Sequence, residues 1–107
     1  MQNQAVGKIT EINGNRFTAQ LFTQRSDDEQ LAAGQVDTYL TIDTGVSRVL
    51  VSVLKSWLGN AKGEEHIFIL CQPLGELDRQ GRFYAGVENY PLINAPVYVT
   101  ENEDLLQ

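Results

Sequence analysis

The chain has 107 residues, of which 42% are hydrophobic and 21% charged, the proportions of one globular domain able to bury a core without disulfides or metals. Its 14 acidic and 8 basic side chains give a net charge of −6, a field that repels phosphate backbones and disfavours direct nucleic-acid binding. A single cysteine, Cys71, excludes an internal disulfide framework, and no run approaches the roughly 20 apolar residues of a bilayer span.

The N-terminus, Met1-Gln2-Asn3-Gln4, lacks the basic and apolar regions of a signal peptide, so a cytoplasmic protein with no membrane partner is expected. Residues 6–12 are apolar and β-branched, and Asn13-Gly14 follows. That pair predicts a hairpin with a type I′ turn, because both residues tolerate positive φ. The returning strand, 16–22, alternates, with Phe17, Ala19 and Leu21 on one face and Arg16, Thr18 and Gln20 on the other. Ser26-Asp27-Asp28-Glu29-Gln30 reads as a solvated acidic loop, since its spacing fits no calcium site, and Leu31-Ala32-Ala33 as a short turn before Gly34.

Val36, Thr38, Leu40 and Ile42 predict the apolar side of a third strand, with Asp37, Tyr39, Thr41 and Asp43 facing away. Asp43-Thr44-Gly45 is a turn. The next strand puts Val49, Val51 and Val53 on one side and Arg48, Leu50, Ser52 and Leu54 on the other, so it is expected to be central or covered. Trp57-Leu58-Gly59-Asn60-Ala61-Lys62-Gly63 is expected to break the strand at its glycines. Residues 66–71 form a fifth strand, 77–95 are mostly irregular with a turn at Arg79-Gln80-Gly81, and 97–100 form a sixth.

Six short strands without a long amphipathic helix predict an all-β fold. The expected form is a small closed six-stranded β-barrel, mostly antiparallel, whose closure hides the sheet edges. The barrel should occupy 1–100, with 101–107 opening a linker or helix into something further.

Sites of chemistry are sparse. Gly59 and Gly63 are too close for a phosphate-binding loop and precede Glu64-Glu65, which would repel phosphate. His66, the sole histidine, reads as a plain strand-edge residue, and Cys71 as a small buried hydrophobe. One His and one Cys build no structural zinc site. Glu76 and Asp78 read as two solvated carboxylates on a turn. No catalytic, cofactor-binding or metal residue is therefore assigned. Trp57 reads first as a core plug at one end of the barrel, and second as an exposed anchor for a partner. Tyr84, Tyr90 and Tyr98 are candidate stacking platforms for a single strand of nucleic acid, with Tyr90-Pro91 more simply a turn anchor. Trp57, Tyr84, Tyr90 and Pro91 are the candidate interface residues.

The order of these segments carries a resemblance. Val6-Gly7-Lys8-Ile9 precedes Gly34-Gln35-Val36, a valine-rich strand and Pro73-Leu74-Gly75-Glu76-Leu77. Phe83-Tyr84-Ala85-Gly86-Val87-Glu88-Asn89-Tyr90-Pro91 and Val97-Tyr98-Val99 follow. This resembles the HAS barrel at the N-terminus of HerA-like hexameric ATPases, most specifically over residues 73–99. Where that family has a glycine between Tyr-Pro and the last strand, this chain has Asn94, a residue tolerant of left-handed backbone.

The resemblance implies a non-catalytic domain that helps a DNA-translocating ring assemble or holds a partner such as a nuclease. ATP and Mg would bind only in a downstream ATPase core of the same chain, and the full protein would be a homo-hexamer. Six copies in a ring would cover apolar residues such as Leu50, Leu54 and Phe68. The alternative reading is a stand-alone OB-like barrel that binds single-stranded nucleic acid or another protein.

Overall fold

The computed structural model describes residues 5–22 and 36–100. The acidic loop, the Leu31-Ala32-Ala33 turn and the linker expected at 101–107 lie outside the described residues. Seven strands follow one another: β1 (Gly7–Asn13), β2 (Arg16–Leu21), β3 (Tyr39–Asp43), β4 (Arg48–Ala61), β5 (Glu64–Leu77), β6 (Phe83–Ala85) and β7 (Pro96–Val99). Among the described residues there is no helix, hence none long and apolar enough to cross a membrane.

All pairings are antiparallel, in the order β2-β1-β7-β3-β4-β5-β6, and β2 also pairs with β5. That last pairing closes β1, β2, β3, β4, β5 and β7 into a six-strand ring, so the fold class expected from the sequence stands. β6, three residues long, is an addition outside the ring, in a stretch expected to be irregular.

Period-two alternation supplies the core. Ile9, Phe17, Ala19, Leu40, Ile42, Val49, Val51, Val53, Ile69, Cys71 and Val97 are all fully buried in one cluster. The seam between β1 and β7 depends on Asn94, which adopts φ 76 and donates its backbone N–H to Ile9 O at 2.7 Å. The left-handed tolerance of asparagine is used there as expected.

Several local expectations are corrected. Asn13 pairs with Arg16, so the β1–β2 turn is centred on Gly14-Asn15; only Gly14 has positive φ, as in a type II′ turn. β3 begins at Tyr39 because Asp37, at φ 73, interrupts extended backbone, and Val36 is exposed. Thr41, expected to face solvent, is buried. Leu50 is likewise already covered within one copy, so no ring is needed to bury it.

The largest correction concerns residues 57–63. Instead of breaking, β4 and β5 continue together to Ala61 opposite Glu64. Lys62 (φ 55) and Gly63 (φ 82) form the turn, with the two positive φ values that a type I′ hairpin requires. β3 covers β4 only as far as Ser52, and β2 covers β5 only over Phe68 to Cys71. The rest of the hairpin projects from the ring as an arm. Gly59 stays in the strand, and the Phe68 ring fills the space its side chain would take.

Candidate functional site

At the end of the ring opposite the arm, Glu76 organises the rim. It stands directly across from Val49, which puts it on the interior face of β5. Glu76 is only 8% exposed and takes four hydrogen bonds. Oε1 accepts the backbone N–H groups of Glu88 (2.8 Å) and Asn89 (3.2 Å). Oε2 accepts the Ser47 hydroxyl (2.5 Å) and the Asn89 side-chain amide (2.5 Å).

Burial alone would raise the Glu76 pKa, but the bonds from Asn89, Ser47 and the Glu88 and Asn89 backbone outweigh it and hold the carboxyl at about 2. Its four lone-pair sites are occupied. A carboxylate so ionised and so saturated is a poor general base or nucleophile and a good staple. The reading of Glu76 as a solvated turn residue is therefore overturned.

Local structure delivers each partner. The β3–β4 turn is tied by the Thr44 N–H to Ser47 O (2.9 Å) and the Ser47 N–H to Thr44 Oγ1 (3.0 Å), and this fixes the Ser47 hydroxyl over Glu76. Asp78, by contrast, caps the next turn. Its Oδ1 accepts the backbone N–H groups of Gln80 and Arg82, both at 2.9 Å. Its Oδ2 accepts Arg82 Nε (3.1 Å) and the Tyr84 hydroxyl (3.2 Å). The Arg82 N–H chiefly holds Asp78 below the usual range against the opposing effect of burial; Gln80, Tyr84 and the Arg82 guanidinium add to the lowering.

Between these groups lies an open cleft of about 470 Å³, lined by Val46, Ser47, Glu76, Asp78, Tyr84, Ala85, Gly86, Glu88 and Asn89. Outside the ring wall, Phe83 folds over Gly75, opposite which Leu50 is buried.

The four candidate interface residues lie on three segments: β6, the 86–91 loop and the arm. Tyr84 is half-exposed on β6, with its hydroxyl bound to Asp78. Tyr90 packs edge-on against Phe17 at 6.0 Å and Pro91 is buried, so this pair anchors the 86–91 loop to the barrel. Trp57 sits on the arm, 37% exposed, stacked on Phe68 at 6.1 Å with Lys55 Nζ 5.6 Å from its ring. The core-plug reading of Trp57 is corrected: its strand leaves the ring before residue 57.

His66 lies on the arm, 3.8 Å from the Glu64 carboxylate. Cys71 is buried as expected, and burial pushes its thiol up to about 12. Among the described residues no group of three or more His, Cys, Asp or Glu is placed to hold a metal ion. No protein-family model matches the chain, and no curated protein matches its sequence.

Proposed function

We infer that this chain is the N-terminal HAS-type barrel of a HerA-like ATPase, a non-catalytic module that aids ring assembly or docks a partner in a DNA-processing motor. The observation that carries the reading is the Glu76 staple. Glu76 belongs to Pro73-Leu74-Gly75-Glu76-Leu77, and its donors Glu88 and Asn89 belong to Gly86-Val87-Glu88-Asn89-Tyr90-Pro91. The two stretches most specific to the resemblance are thus one physical unit, as stretches that define a family's fold should be. The left-handed Asn94, in the place where the family has glycine, supports the same reading.

Under this reading the ATP and Mg sites lie in a downstream core, and a nuclease is the candidate partner. The test is to isolate the native assembly from source cells with an antibody to this barrel and assay ATP hydrolysis stimulated by duplex DNA. Co-purifying DNA-stimulated hydrolysis supports the reading, and an assembly without it refutes it.

One observation favours the alternative, a barrel that binds single-stranded nucleic acid. Trp57 presents an exposed ring beside a lysine, the pair used for base stacking. The net charge of −6 opposes it. Tight, salt-sensitive fluorescence polarisation of a labelled single strand would favour this reading over the first.

A further inference from the structure

Among the described residues, the arm presents an open sheet edge. On the side of β4 away from β5, β3 pairing ends at Ser52, and Val53 makes the last contacts, to Asp37 and Thr38 at 2.9 Å each. Beyond Val53, residues 54–61 have no strand on that side among the described residues. Edges of this kind are normally blunted by proline or several charges. This one carries no proline and a single charge, Lys55, and it exposes Leu58 to 65% and Trp57 to 37%.

We propose that this edge is a self-recognition surface, on which a second copy of the chain adds residues 55–61 of its own β4, antiparallel, about a two-fold axis at Leu58. The register follows from three constraints. Directly opposed residues share a sheet face, so the pairing must match outer face with outer face. The hairpin tip must clear the point where Asp37 and Thr38 occupy the edge at Val53. The sheet must also bring no like charges together.

Centring on Leu58 meets all three. Trp57 then lies across from the partner's Gly59, over which the partner's own Phe68 ring lies, so that the indole meets an aromatic surface there. Lys55 lies across from the partner's Ala61, and beyond that small residue is the partner's Glu64, which pairs with Ala61 in the hairpin. Lysine and glutamate thus share a row with only a methyl group between them. On the opposite face Leu58 pairs with Ile67 within each hairpin, so the row reads Ile67, Leu58, the partner's Leu58, the partner's Ile67, an apolar line across the axis. At each end Lys62 of the turn comes level with the partner's Asp37, the residue bonded to the end of the open edge. The contact is isologous and closes at two copies. It is separate from the ring contact of the proposed function, which is head-to-tail, so failure of either leaves the other standing.

Analytical ultracentrifugation of the full chain across a concentration series tests this directly. The expected result is a monomer–dimer equilibrium, from 11.9 kDa to twice that mass. The fluorescence of Trp57, the sole tryptophan, should shift to the blue as dimer forms, and the amides of residues 55–61 should gain exchange protection over the same range. Leu58→Lys puts two cations on the axis at an exposed position that leaves the fold intact, and should weaken the dimer by at least about tenfold. Glu64→Lys should weaken it about tenfold, and adding Lys55→Glu should restore it. A monomer at every concentration overturns the proposal. So does a dimer indifferent to Leu58→Lys, or an edge already protected in the monomer because the chain covers it itself.

Discussion

Asn89 grips Glu76 twice: its backbone N–H donates to Oε1 at 3.2 Å and its side-chain amide to Oε2 at 2.5 Å. With Ser47 and the Glu88 N–H completing the set, one carboxylate joins the β3–β4 turn, β5 and the 86–91 loop. Removing a buried acceptor strands its donors, which costs more than the bonds were worth in net stability. Glu76→Ala should therefore lower unfolding stability by about 2–3 kcal/mol, read by urea denaturation. Glu76→Gln should cost less but not nothing, since its amide nitrogen would face the Asn89 amide. Wild-type stability in both variants would show that the network contributes nothing.

The same carboxylate sets a pH dependence. Its value falls from an ordinary 4.5 to about 2 in the folded protein, where the bonds from Asn89, Ser47 and the Glu88 and Asn89 backbone overcome the raising effect of burial. A folded value below the unfolded one contributes stability above the unfolded value and loses it as pH falls through the folded one. Denaturation midpoints should accordingly drop as pH falls from 4.5 towards 2. Asp78, also lowered, acts in the same direction. Glu76→Gln should flatten the profile in part, leaving the Asp78 contribution; an unchanged slope would remove Glu76 from the account.

Gly75 admits no side chain, because an added Cβ would meet the Phe83 ring and the backbone carbonyl of Tyr84. Gly75→Ala should therefore displace β6 and cost about 1–3 kcal/mol, the usual penalty for overpacking against backbone. The companion readout is loss of exchange protection at residues 83–85 while β1 and β2 stay protected. Protection lost uniformly would mean that β6 is not a separable addition to the ring.

Much of the ring was legible because its information is local. Phe17, Ala19 and Leu21, and then Val49, Val51 and Val53, alternate with period two, and that is enough to assign their faces. Asn94 was singled out only through the resemblance, as the residue standing where the family has glycine; nothing local marks a left-handed position, since Asp37 and Lys62 adopt one too. The arm was not legible. Gly59 and Gly63 look alike as strand breakers, yet Gly63 makes a turn while Gly59 stays extended beneath Phe68, whose place on the neighbouring strand only the register reveals. Glu76 was missed because its partners lie 12, 13 and 29 residues away, and no short pattern marks a carboxylate whose donors arrive from elsewhere.

Cys71 should be chemically silent in the native state. Burial raises its thiol to about 12, so the reactive thiolate is scarce at neutral pH, and the surrounding core excludes reagent. A disulfide-exchange reagent should label it only at the rate of unfolding, and at once in denaturant. Fast labelling of the native chain would mean that the ring opens at the β2–β5 seam, where Phe17 pairs with Cys71.

The most direct test of the central claim is the mass of the polypeptide that carries this barrel in its source cells, read by immunoblot against the domain. An N-terminal barrel of a ring ATPase requires a band far larger than the 11.9 kDa of this chain, with the nucleotide-binding motifs in the additional sequence. A single band at 11.9 kDa would contradict that claim and leave a free-standing barrel.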